Sequence, residues 1–151
     1  MKSRAAILLV CLGVFLVFPQ GAAAKWVRSG KLEGISVLAL AVNGDDIFAG
    51  TDSGVFRSTD NGANWTAVNS GLPEKTIFLC LAASGARIFA GTDGAGVFMS
   101  SNQKKSWVMV NSGLKSSQVC ALAVSGDYLI AGTMQGGIWR SPLADLSGGK
   151  R

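Results

Sequence analysis

Three nearly all-apolar runs of six residues recur along the chain: residues 37–42 (VLALAV), 78–83 (FLCLAA) and 119–124 (VCALAV). Such runs suit strands buried on both faces, and their small alanines let equivalent strands crowd together. Each run is followed by a polar turn, Asn43-Gly44-Asp45, Ser84-Gly85-Ala86 or Ser125-Gly126-Asp127, and then by a second strand. That strand reads IFAGT at 47–51 and 88–92 and LIAGT at 129–133. Glycine-rich loops lead to third strands at 55–57, 97–99 and 138–140, and fourth strands led by tryptophan follow at 65–68 and 107–110. Ile47 to Ile88 and Ile88 to Leu129 are each 41 residues apart. A fixed period of about 40 with strand content points to propeller blades or a solenoid. The density of Gly, Val, Thr and aromatic residues, with turn signals at short intervals, excludes helical repeats.

The turn between the third and fourth strands carries the most specific motif. In Ser58-Thr59-Asp60-Asn61-Gly62-Ala63-Asn64-Trp65, Asp60 and Asn61 bond nearby backbone N–H groups and Gly62 accepts a positive φ. Trp65 supplies a large apolar anchor. The spacing of Ser58, Asp60, Gly62 and Trp65 resembles the Asp-box, or bacterial neuraminidase repeat, of sialidase-like β-propellers. A degenerate copy keeps Ser100 and Trp107 but has Asn102 for Asp and Lys104 for Gly. The resemblance implies a structural hairpin between the outer strands of a blade, away from any catalytic centre. The expected fold is all-β, a β-propeller-type array of about three four-stranded antiparallel blades.

The repeats place blades at about 35–70, 76–112 and 118–141 within a repeat region spanning 25–146, followed by a polar tail at 147–151. The third copy stops at Ser141-Pro142 without a fourth strand, while residues 25–32 (KWVRSGKL) resemble the missing piece. The leading strand at 25–30 is therefore expected to complete the last blade and so pair its exposed edge. Three blades fall short of the usual four to eight. Two chains combined into a larger ring, an open arc, and a remnant of a longer parent all remain open, and the reading favours self-association as a dimer.

Residues 1–24 read as a secretory signal peptide, with Lys2 and Arg4 preceding an apolar run at 5–18 and Ala22-Ala23-Ala24 offering a cleavage site. The run is too short to span a bilayer, so no membrane span is expected after cleavage, and the expected location is periplasmic or extracellular. The formal charge is +5, of which Lys2 and Arg4 carry two. The remaining cations are scattered, which excludes a nucleic-acid footprint. Cys80 and Cys120 fall at non-equivalent repeat positions and are expected to be buried free thiols.

Catalytic chemistry finds little support. The chain has no histidine, the commonest general base and metal ligand. No metal, cofactor or catalytic residue is expected. A sialidase-type glycosidase is the rival reading; it needs an arginine cluster, a tyrosine nucleophile and carboxylates, so Arg57, Arg140 and Tyr128 would have to converge. The favoured alternative is a binding surface for a protein or glycan. The resemblance places that surface on the second-to-third-strand loops and the inter-blade links, which here carry Asp52, Asp93, Gln135, Glu74, Lys75 and Lys115. Asp52 and Asp93 suit a glycan hydroxyl or a cation, although Asp beside Gly also caps its own turn.

Overall fold

The computed structural model describes residues 24–101 and 106–146. The leader at 1–23, Asn102 to Lys105 of the degenerate turn, and the polar tail lie outside the described residues. Eleven strands form three antiparallel sheets. The first contains β1 (Val37–Asn43), β2 (Asp46–Thr51), β3 (Gly54–Ser58) and β4 (Thr66–Ala67) in that order. The second contains β5 (Phe78–Ser84), β6 (Arg87–Thr92), β7 (Val97–Ser100) and β8 (Trp107–Met109). The third contains β9 (Val119–Ser125), β10 (Tyr128–Thr133) and β11 (Gly137–Pro142). Every neighbouring pair is sequential, as expected of an array built from hairpins.

The repeat in sequence is a repeat in register. Ile47 pairs with Ser58 and Ile88 with Ser100, while Leu129 pairs with Ser141. Each first strand carries the same bulge, at Leu38, Leu79 and Cys120, because Val37, Phe78 and Val119 face Thr51, Thr92 and Thr133 while the ladder resumes two residues later. A bulge turns its extra residue out of the ladder. Cys120 is accordingly exposed, a correction to the expectation of two buried thiols, whereas Cys80 is buried and both are free.

The sheets stack through two cores. Phe48 and Val55 of the first sheet meet Phe78, Leu81, Ile88, Ala90, Phe98 and Trp107 of the second. Cys80, Phe89, Val97 and Met99 of the second meet Val119, Leu129, Ala131 and Leu146. Only the middle sheet is covered on both sides. The first strands were expected to be buried on both faces, and β5 comes close to this. In β1 and β9, by contrast, most residues are exposed or half-buried, since each lies in an end sheet with one uncovered face.

The leading segment corrects another expectation. Residues 25–28 form no strand, and among the described residues β11 has no fourth-strand partner. Ser29 instead donates its hydroxyl proton to the Gly62 carbonyl and accepts the Trp65 indole N–H. Gly30 lies against the Trp65 ring. This is the position that Ser70-Gly71 takes one sheet later, where Ser70 O accepts the Trp107 N–H at 2.8 Å and Gly71 abuts the Trp107 backbone. The segment therefore takes the place of an inter-sheet link, with no sheet before it among the described residues. The slot that Trp107 fills between the first two sheets is occupied between the last two by Leu146, which is buried beside Ser112, Gly113 and Leu129 around a remaining cavity of about 140 Å³.

Candidate functional site: the loop face

The turn residues Ser58, Asp60 and Gly62 form one closed hydrogen-bond set. The Ser58 hydroxyl donates to Asp60 at 2.8 Å and accepts the Gly62 N–H at 2.9 Å. Asp60 in turn accepts both the backbone N–H and the side-chain amide of Asn64, each at 2.8 Å. These bonds, led by the Asn64 amide, hold the Asp60 carboxyl below its ordinary value. Asn61 and Gly62 both take positive φ. The Ser58 hydroxyl and both Asp60 carboxylate oxygens thus find partners within the turn. Trp65 is half-buried, whereas Trp107 is only 3% exposed and donates its indole N–H to Val68 O at 2.6 Å. The difference is the neighbour: Trp107 has a whole sheet beside it and Trp65 has only Ser29-Gly30.

The loops following the second strands lie at one end of the sheets, beside the inter-sheet links. Each is tied by a threonine: Thr51, Thr92 and Thr133 donate to the carbonyls of Gly54, Gly96 and Gly137 at 2.7, 2.8 and 2.9 Å. Each is also tied to the link before it, as Asp52, Asp93 and Met134 donate their N–H groups to Ser36, Ile77 and Gln118. A polar cavity of about 410 Å³ opens between the loop at Ser53-Gly54 and the link that follows it. It is lined by Asn69, Leu72, Pro73, Glu74, Lys75 and Thr76. Glu74 and Lys75 are both exposed, and Lys75 is held in a left-handed turn.

The remaining predicted residues separate by role. Asp52 accepts the Ser36 N–H at 3.2 Å and the Ser53 hydroxyl at 3.0 Å, and these bonds, with Ser36 the larger influence, hold its carboxyl low. Asp93 accepts the Gln118 amide at 2.8 Å and so bridges the second and third sheets. Gln135 stands exposed at the tip of the last loop with a positive φ, and Lys115 is exposed on the last link. Glu74 and Lys75 share the cavity; Asp93, Lys115 and Gln135 do not line it. Asp52, although adjacent to Ser53, does not line it either and is bonded to Ser36 of the preceding link and to Ser53.

Two asparagines were missed. Asn69 and Asn111 open the two copies of the link, and each accepts a buried third-strand N–H, from Val55 at 2.7 Å and from Val97 at 2.6 Å. Asn111 also donates to Ala95 O at 2.9 Å. The signal was present as the repeated Asn-Ser-Gly-Leu at 69–72 and 111–114. The groups of the rival enzyme reading do not share a pocket. Arg140 stacks over the Tyr128 ring at 5.1 Å on the third sheet, while Arg57 pairs with Asp46 at 2.9 Å on the first. Among the described residues, no three His, Cys, Asp or Glu side chains group as metal ligands.

Three stacked antiparallel sheets of three or four strands define an all-β protein with propeller-like blades. Solved structures of β-propeller type share this arrangement. YCF48 from Cyanidioschyzon merolae superposes with a TM-score of 0.58 at 14% identity, covering 76% of this chain and 36% of that one. The GH74 xyloglucanase from Xanthomonas campestris gives 0.56 at 21% identity over 72% of this chain and 21% of its own. PorZ, an essential surface component of the type-IX secretion system of Porphyromonas gingivalis, gives 0.55 at 19% identity over 68% and 17%. The chain thus spans between 17% and 36% of these three structures, and at these identities the likeness is one of fold. No protein-family model and no curated protein sequence matches the chain.

Proposed function

We propose that the chain is an exported, non-catalytic β-propeller module of Asp-box type that binds a protein or glycan on its loop face and associates with copies of itself. The observation that carries the binding role is the polar cavity between the loop at Ser53-Gly54 and the link at 72–76. Its walls pair an exposed carboxylate, Glu74, with an exposed ammonium, Lys75, above an amide and hydroxyls. A mixed donor–acceptor surface over a small apolar floor (Leu72, Pro73, Phe78) suits the hydroxyls of a sugar or the polar side chains of a protein. The separation of Arg57 from Tyr128 and Arg140 supports a binding role over sialidase-type hydrolysis, since catalysis needs its groups within reach of one reacting centre.

The test is a glycan and protein-ligand binding screen with the native chain and the Glu74→Ala/Lys75→Ala double variant. Both side chains are exposed, so the variant keeps the fold while losing at least about tenfold in affinity, the scale of removing charged hydrogen bonds. Undiminished binding would move the site elsewhere. Release of sialic acid from a glycoside by the native chain would restore the enzyme reading.

A further inference from the structure

The two joints between sheets use one device, and its two halves remain unmatched at the ends of the stack. Phe78 sits on Gly50: a Cβ there would meet Phe78 O at 3.1 Å and Leu81 Cγ at 3.4 Å. Val119 sits on Gly91, its Cγ1 2.8 Å and its carbonyl oxygen 3.1 Å from where a Cβ would stand, with Cys80 Sγ of the same sheet nearer still. The equivalent glycine of the third sheet is Gly132, and among the described residues its Cβ position is met by Ala121 of the same sheet alone, at 3.3 Å. The equivalent branched residue of the first sheet is Val37, 45% exposed where Phe78 and Val119 are fully buried. Leu40 is 64% exposed against 9% for its counterpart Leu81, and Ile138 is 81% exposed against 0% and 3% for Val55 and Val97.

We propose that a second copy of this chain packs its first sheet onto the open face of the third sheet, head to tail, with Val37 on Gly132. This rests on the reading of the chain as self-associating and specifies the surfaces. The internal joints supply the geometry, because the end faces belong to the same repeat whose other copies already fit each other. Within one chain β5 packs against both β1 and β9, while Leu40 and Ile138 on the two end faces stay exposed.

The leading segment supports the same joint independently. Ser29-Gly30 occupies the link position at Trp65, so residues 25–28 of the incoming copy lie on the side where the third sheet presents β11, which has no fourth strand. Val27 precedes Ser29 by two residues, as Val68 precedes Ser70 and Val110 precedes Ser112. Val68 and Val110 donate their N–H groups to Val55 O and Val97 O, both at 2.9 Å. Val27 of the second copy therefore donates to Ile138 O, covering that residue and closing the β11 edge. A head-to-tail contact of this kind closes when its rotation does, and two copies supply six sheets, within the four to eight usual for propellers.

The experiment expresses the chain with its own leader, recovers the exported form, and measures its mass by light scattering. The native protein should run at twice the chain mass. Leu40→Asp and Gly132→Val should run as folded monomers, with association weakened roughly thirty-fold or more, the scale of a buried hot spot. Leu40 is open in the single chain, so the circular dichroism of Leu40→Asp should be unchanged, while Gly132→Val asks Ala121 of its own sheet to give by a few tenths of an ångström. In a Cys120→Ser background, Val27→Cys with Ile138→Cys should form a disulfide that joins two chains, since directly paired strand residues lie within bridging distance. A native monomer at all concentrations would overturn both this joint and self-association. A dimer indifferent to Leu40→Asp and Gly132→Val would overturn these surfaces while sparing self-association. A bridge confined to one chain would overturn the second copy as occupant.

Discussion

Asn111→Ala tests whether the link asparagine, rather than the turn motif, closes the middle sheet. Asn111 Oδ1 accepts the Val97 N–H at 2.6 Å, and Val97 is 3% exposed, so no water replaces the lost acceptor. An unpaired buried donor costs about 1–3 kcal/mol. The second bond, from the Asn111 amide to Ala95 O at 2.9 Å, ends on a half-buried residue whose carbonyl recovers water, so its net loss is about 0.5–1 kcal/mol. Together the substitution should cost about 2–3 kcal/mol, which for a domain of this size lowers Tm by roughly 10 °C. Urea unfolding at a chain concentration low enough to keep the protein monomeric reads the difference directly. Asn111→Asp retains the acceptor for Val97 but sets a carboxylate oxygen against the Ala95 carbonyl, and should fall between native and Ala. A loss below about 0.5 kcal/mol in Asn111→Ala, or equal losses in the two variants, would refute this account of the link.

Gly91→Ala places a methyl group against Cys80 Sγ of its own sheet and against Val119 Cγ1 and its carbonyl and should cost about 1–3 kcal/mol by overpacking; Gly132→Ala meets Ala121 at 3.3 Å and should cost less. Urea curves of the two variants, with Gly91→Ala also in a Cys80→Ala background where the same-sheet neighbour is small, show how much of the cost belongs to the joint with Val119. Asp60→Ala should lower Tm at neutral pH. Because hydrogen bonds to Asn64 and Ser58 hold the folded Asp60 carboxyl below its ordinary 3.8, its contribution is present above that value and disappears as pH falls through the folded value. The Tm difference between native and Asp60→Ala should therefore be constant from pH 5 to 8, as an order-of-magnitude window, and close in acid; a difference that grows in acid would contradict the bonding seen in the turn.

The period of 41 residues was enough to place the strands, because apolar runs, Gly-Thr strand ends and Asn/Asp/Gly turns all repeat with it. Legibility failed where a position depends on what stands beside it. The runs at 37–42 and 119–124 look as buried as the one at 78–83, yet only the last has a sheet on either side. Trp65 and Trp107 are equivalent in sequence, and Trp107 alone is enclosed. Residues 25–32 were matched to a fourth strand by their tryptophan. Their position is set instead by Ser29-Gly30, because a glycine is what the ring of the next tryptophan admits. Of the candidate ligand residues, Glu74 and Lys75 line one cavity. Asp52 and Asp93 are bonded to Ser36 and Gln118 and do the work of tying loops to links.

The same comparison gives exposure a meaning here that it lacks in most proteins. A solitary exposed leucine is ordinary, and Leu40 alone would support nothing. In a repeat, each exposed residue has internal counterparts that report what its position is built to contact. Leu40, Val37 and Ile138 are exposed where Leu81, Phe78 and Val97 are buried, and the contrast arises at both ends of the stack on opposite halves of one joint. Nearest-neighbour stacking makes the interface between repeats a principal source of stability in such arrays. On the proposed head-to-tail joint, an array whose two ends carry opposite halves of that interface would gain the same stabilisation by meeting another copy, and none of the joint residues Val37, Leu40, Gly132 and Ile138 lines the cavity at Glu74 and Lys75.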